Sequence, residues 1–357
     1  MTPLRLAIDE RQLDDLRARL ARTRFPDEPP LAPWSTGTSL AYMRELVPYW
    51  QERFRWRDWE ARLNAFAQYR VPLGGIELHF LHRPSRDPDA IPLLLLHGWP
   101  GSVVEFLELI PLLGPGFSVV APSLPGFTLS FRPGQPRFGV EEMADLLAEL
   151  MQRLGYPRFA VQGGDWGAFI ASRLAATRPQ QVLGIHLNLL AVRRDAKRPA
   201  ESAEEAAYRE RLAVWLKEET GYQWIQGTRP QTLAYALSDS PAGLAAWIAE
   251  KFRAWSDGPV DRDAMLANIS LYWFTGAIGS SFWPYYARHH RGWPFEAVDV
   301  RTGYAQFPKE ILRPPRSLAG RMYRRLERWT VMARGGHFAA LEEPQALAAE
   351  IRAFFGR

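Results

Sequence analysis

Phe159-Ala160-Val161-Gln162-Gly163-Gly164-Asp165-Trp166-Gly167, continued by Ala168 to Thr177, sets a short apolar run before a glycine-framed aspartate and a helical stretch. The order reads as strand, sharp turn, helix, with Asp165 at the centre of a small-x-Asp-x-small pattern. Such a turn strains its central residue and leaves no room for side chains two positions away on either side, which accounts for Gly163 and Gly167. It also places Asp165 at a helix N-terminus, where the dipole favours a carboxylate and the Trp166 N–H points toward it. A glycine-rich helix cap with aspartate as N-cap would fit these five residues equally well. The surroundings must decide.

Outward from this turn, strands alternate with helices. Arg70 to Leu73 and Ile76 to Leu81 flank Gly74-Gly75 as a hairpin. Then come strand Leu93 to Leu96, helix near Val103 to Leu113, strand Ser118 to Ala121, helix near Val140 to Leu154, the central strand and its helix, and strand Val182 to Leu187. Alternation of this kind predicts right-handed crossovers and a mostly parallel sheet. It lapses from about Leu190 to Arg288, where amphipathic helices carry many aromatic residues, and resumes at Val298 to Val300, Trp329 to Met332 and a last helix, Leu347 to Phe355. The pattern divides the chain into a helical N-terminal extension (1–68), a first core part (69–189), a helical cap (190–289) and a second core part (290–357).

Two further sites agree with the turn. His97-Gly98-Trp99-Pro100 follows the strand Leu93 to Leu96, and Gly335-Gly336-His337 follows the last strand. Nucleophile before histidine is the chain order of α/β-hydrolases. In that fold the N–H after the nucleophile, here Trp166, and one from the first strand-to-helix loop, here Trp99, form the oxyanion hole. Three placements agreeing with one topology outweigh the capping alternative.

Composition narrows the chemistry. The 357 residues contain no cysteine, which excludes disulfides, thiolate metal sites and a cysteine nucleophile. With 44 basic and 39 acidic residues interspersed, the net charge of +5 points to no nucleic-acid partner. The charged N-terminus and the lack of a long apolar stretch give no secretion signal or membrane anchor, so a cytoplasmic location is expected. A serine at this turn would leave an uncleavable ether after attack on saturated carbon. A carboxylate leaves an alkyl ester, which histidine-activated water can hydrolyse. Asp165 with His337 therefore predicts displacement at an sp3 carbon, with epoxides and haloalkanes as candidate substrates. An alkoxide leaving group calls for phenolic proton donors, a halide for N–H donors such as indole.

The chain resembles the microsomal-type epoxide hydrolases, in a soluble form without the membrane anchor. The resemblance rests on Trp56-Arg57-Asp58-Trp59, Leu63-Asn64-Ala65-Phe66, His97 to Ser102, Gly163 to Gly167, Asp239 to Ala246, Phe307-Pro308-Lys309-Glu310 and Arg334 to Pro344. It implies an α/β-hydrolase fold with a mostly parallel eight-stranded sheet, a helical cap and a helical N-terminal extension. It further implies that two cap tyrosines, Tyr222 and Tyr285, bind and polarise the epoxide, with Tyr286 the neighbouring alternative to Tyr285. Glu310 is implied as the acid orienting His337, with Asp299 as rival, and Trp166 as a further substrate contact. The expected reaction converts an apolar or aromatic epoxide to a vicinal diol with water, without metal or organic cofactor; homodimerisation is left open. Haloalkane dehalogenation through the same aspartate, or a non-catalytic binding protein on the same fold, are the alternatives.

Overall fold

The computed structural model describes residues 1–193 and 198–357; residues 194–197, inside the expected cap, lie outside the described residues. Nine strands form one sheet: β1 (Thr2–Pro3), β2 (Gln68–Leu73), β3 (Ile76–Arg83), β4 (Ile91–Leu96), β5 (Phe117–Pro122), β6 (Phe159–Gly163), β7 (Val182–Leu187), β8 (Thr302–Gln306) and β9 (Leu326–Val331). Their spatial order is β1-β2-β3-β5-β4-β6-β7-β8-β9. The β1 to β3 edge and its junction with β5 are antiparallel, and every pairing beyond is parallel. The β2–β3 hairpin turns on Gly74 and Gly75, both with positive φ, as a tight primed turn requires.

Three details correct the sequence expectation. The sheet has nine strands rather than eight, because two residues at the chain start pair with Tyr69 and Arg70 of β2. The strand expected at Val298 to Val300 lies instead at Thr302–Gln306; Val298 contributes one isolated bridge, to Tyr323. Gly303 sits in β8 because a Cβ there would approach Phe354 to 2.9 Å and His186 to 3.1 Å. The stretch near Val103 to Leu113 is also less regular than expected, splitting into a 3-10 turn (Val103–Phe106) and a short helix (Leu109–Leu112).

The strands β4 to β7 are buried on both faces, as crossover helices require. Leu93, Leu94, Leu95, Val161 and Ile185 are fully enclosed. Seven helices between Ala203 and His290 connect β7 to β8. They pack against the chain start: Trp50 Nε1 donates to Ser270 Oγ at 3.1 Å, Tyr49 O–H to Asp263 at 2.8 Å, and Thr38 O–H to the Ala246 carbonyl at 2.7 Å.

β6 and its helix Asp165–Thr177 meet where a Cβ on Gly167 would fall 2.2 Å from the Leu96 carbonyl oxygen, and one on Gly163 2.5 Å from the Gly167 backbone. No rotamer change relieves a clash with backbone. Gly167→Ala should therefore destabilise the protein by about 3 kcal/mol, the upper range for overpacking. Denaturant unfolding measures this directly; a change within ±0.5 kcal/mol would show that the two backbones can separate.

Candidate active site

Asp165 has φ of 45°, in the left-handed region that non-glycine residues avoid. The cost is borne because strand and helix are both fixed by the close contacts at Gly163 and Gly167. Asp165 Oδ1 accepts a hydrogen bond from the Trp99 N–H at 2.7 Å. Gly98 makes that approach available, since a Cβ there would lie 2.2 Å from Asp165 Oδ1. The Trp166 N–H belongs to the first turn of the same helix, where backbone donors have no intrahelical acceptor.

The loop carrying Trp99 is held by a histidine that does no proton transfer. His97 Nε2 accepts from the Leu124 N–H at 3.1 Å, so Nδ1 carries the proton and donates to the Gly98 carbonyl at 3.0 Å. Burial pushes His97 down to about 4, which keeps this bonding pattern at neutral pH. From the helices between β7 and β8, Asn268 Nδ2 donates to the Pro100 carbonyl at 2.7 Å and Tyr272 O–H to the Gly101 carbonyl at 2.8 Å.

His337 is brought to the aspartate by the turn after β9. Its N–H donates to the Trp255 carbonyl at 2.9 Å, and its ring meets the Trp255 ring edge-on at 5.0 Å. His337 Nδ1 lies 2.8 Å from Glu310 Oε1, and Nε2 lies 3.6 Å from Asp165 Oδ2. The first is a short hydrogen bond that fixes the ring and its tautomer; the second is too long for one. Asp299, the rival acid, is exposed and pairs with Arg324 at 3.2 Å. It plays no part here, and the displacement of β8 away from Val298 to Val300 is the reason.

Burial opposes a charge on His337, but the neighbouring Glu310 and Asp165 carboxylates outweigh it and raise the imidazole well above its ordinary value. Esterifying Asp165 would remove one of those two charges and release the proton more readily. Glu310→Gln would remove the other, lowering the His337 value, and would offer Nδ1 an amide donor that favours the wrong tautomer. The expected result is a loss of about 100-fold in kcat, within the range for general-base catalysis, with the acid limb of the pH–kcat profile moved to lower pH. A profile with an unmoved limb would show that Glu310 does not govern the ring.

Tyr222 and Tyr285, which line a cavity with Asp165, are buried, their ring centroids 5.7 Å apart. Tyr222 stacks on Trp99 at 5.4 Å, and Tyr285 stands perpendicular to Trp166 at 4.8 Å. Burial raises the Tyr285 phenol well above its ordinary value, with Tyr222 and Asp165 acting in the same direction, so it stays a proton donor. Tyr286 instead stacks between Trp283 and His290 on its own helix, with centroids at 4.9 and 4.0 Å. Beside the tyrosines a cavity of about 500 Å³ is lined by Asp165, Trp166, Phe169, Trp215 and Trp293, with Arg193, Arg288 and His289 also facing it.

Three neighbours escaped the sequence reading. Gln223 Nε2 donates to the Tyr222 hydroxyl at 2.8 Å, and Lys251 Nζ sits 4.6 Å from the Tyr222 ring centroid. Glu105 lines a small cavity beside Asp165 and His337. Only Glu105 had a local signal, Ser102-x-x-Glu105, and that signal reads as a helix cap.

A carboxylate on a strained strand-to-helix turn, central in a sheet of this order, places the molecule in the α/β-hydrolase class. Residues 91–223 accordingly match the family model described as alpha/beta hydrolase fold. Residues 1–106 match a second model, described as Epoxide hydrolase N terminus. Epoxide hydrolase 1 of Oryctolagus cuniculus is 35% identical over 99% of this chain and 88% of its own length. The solved Aspergillus niger epoxide hydrolase has a TM-score of 0.89 at 32% identity, covering 99% of this chain and 96% of the other. Juvenile hormone epoxide hydrolase from the silkworm Bombyx mori gives a TM-score of 0.91 at 31% identity, covering 99% and 94%. The chain belongs to the epoxide hydrolase family. Among the described residues no helix is long and apolar enough to cross a membrane.

Proposed function

We propose that the chain opens an apolar or aromatic epoxide in two steps through an ester on Asp165. Asp165 Oδ2 attacks a ring carbon, the C–O bond opposite breaks, and a proton from Tyr222 or Tyr285 neutralises the alkoxide. His337, oriented by Glu310, then takes a proton from water as the water oxygen adds to the Asp165 carbonyl carbon. The Trp99 and Trp166 N–H groups receive the negative charge on Oδ1. Collapse expels the alkoxide, which leaves as the diol after protonation. The observation that carries this reading is that two buried phenols line one cavity with Asp165, while a histidine bound to Glu310 stands 3.6 Å from the same carboxylate. Phenols suit a departing alkoxide better than a halide, which favours epoxides over haloalkanes. A non-catalytic binding protein would have no use for a histidine held between two carboxylates.

The helices between β7 and β8 act as the cap in this reading, with the boundaries 1–68, 69–189, 190–289 and 290–357 for extension, core, cap and core. Trp166, Phe169, Trp215 and Trp293 support an apolar or aromatic substrate, because they offer flat hydrophobic walls. The test is a single turnover of a styrene-type epoxide with excess enzyme in oxygen-18 water. The expected product is unlabelled diol, its new oxygen drawn from Asp165, with the label left on the aspartate. Label in the first-turnover diol would mean direct attack by water and would sink the ester mechanism.

A further inference from the structure

Glu105 is a half-buried acid near the reacting atoms that the mechanism above leaves without work. Ser102 caps the 3-10 turn by accepting from the Val104 N–H at 3.3 Å, and Glu105 in return accepts from the Ser102 N–H. That reciprocal cap uses one carboxylate oxygen. Gly101 makes room for the group: a Cβ there would lie 1.5 Å from Glu105 Oε1. Such space is not needed for a cap, which forms with any residue beside it.

The cavity that Glu105 lines also touches Asp165, His337, Gln162 and Asn188, and has about 20 Å³ of space for the centre of a water molecule. One water needs roughly 10–15 Å³ on that measure, together with two or more polar partners. Gln162 and Asn188 already bond each other at 2.9 Å. Glu105 and His337 are two lining groups able to hold a water beside the Asp165 carboxyl, Glu105 through the oxygen that its cap leaves over. The two tyrosines do not line this cavity.

We propose that this cavity is the binding site of the hydrolytic water, with Glu105 as a positioning residue that accepts its second O–H while His337 takes the first. The proposal rests on the ester reading and assigns the second half-reaction its own compartment, separate from the substrate cavity. Glu105 neither gains nor loses a covalent bond; the water proton passes to His337 Nε2 and the water oxygen to Asp165 Cγ. Burial pushes the Glu105 carboxyl up to about 8, with Asp165 adding to the rise and His337 opposing it.

Glu105→Gln separates the two duties. The amide oxygen can still accept the Ser102 N–H, which preserves the cap, but the NH2 then faces the cavity and donates where an acceptor is required. Stopped-flow tryptophan fluorescence with an aryl epoxide follows ester formation and decay as separate phases. Ester formation should stay within about twofold of the unsubstituted protein, ester decay should slow by about 100-fold, and the melting temperature should hold. Should Glu105→Gln not fold, Glu105→Asp is read in the same way, since its shorter carboxylate withdraws from the water. Unchanged decay overturns the proposal, as does an equal slowing of both phases, which would mark a structural role for the loop. Failure of the ester reading is distinct: no ester would form in the unsubstituted protein or in His337→Gln.

Discussion

Incubated with an aryl epoxide, the His337→Gln protein gains the mass of one intact epoxide on Asp165 and turns over no further. The imidazole is needed only for the second half-reaction: Nε2, 3.6 Å from Asp165 Oδ2, stands where it can take a proton from water but makes no firm bond to the nucleophile. Glutamine fills similar space without a basic nitrogen, so alkylation proceeds while hydrolysis loses its base. Steady-state turnover should fall by about 10⁴-fold, the upper range for loss of a general base. Intact-protein mass spectrometry gives the adduct, and peptide mapping locates it. Asp165→Ala is the control and should remain unmodified. An adduct on another residue would dismiss Asp165 as nucleophile, and alkyl adducts formed only from haloalkanes would replace the epoxide reading altogether.

The second large effect is expected on the other side of the aspartate. Tyr222→Phe and Tyr285→Phe should each slow ester formation by about 10–100-fold, and the double variant by about 10³-fold or more, because two donors share one developing alkoxide. Each change removes a hydroxyl and leaves the ring, so the stack on Trp99 and the edge contact with Trp166 remain. Hydrolysis of an ester already formed should hardly change. Rapid-mixing measurements of the two phases separate these outcomes. Equal loss in both phases, or full activity in the double variant, would remove the tyrosines from the first step. Tyr286→Phe, whose ring stacks on its own helix, should behave like the unsubstituted protein.

The parts of the site most legible in the sequence are those in which geometry restricts residue type. At Gly163 and Gly167 backbone meets backbone, so small residues flank the nucleophile and the turn shows itself. Residues whose role comes from distant packing were harder to read. Val298-Asp299-Val300 looks like an alternating strand, yet the paired segment is Thr302–Gln306, whose Gly303 is imposed by Phe354 and His186 from other elements. That shift is what leaves Asp299 with Arg324 on the surface while Glu310 reaches His337. β1 carries no pattern at all, since two residues cannot show a period, and it exists because β2 offers a free edge. Glu105 has a local motif, but its meaning depends on a cavity built by residues of β4 and β6, by Asn188 just after β7 and by the turn after β9.

The helix Arg262–Thr275 is tied at both ends of its load path. Ser270 and Asp263 receive hydrogen bonds from Trp50 and Tyr49 of the extension, while Asn268 and Tyr272 hold the Pro100 and Gly101 carbonyls beside the oxyanion donor. The loop that carries the Trp99 N–H is therefore coupled to this helix and, through it, to the chain start. Any displacement of the helix is passed to the oxygen that Trp99 holds, so residues far along the chain from Asp165 set how well its carboxylate is held in place.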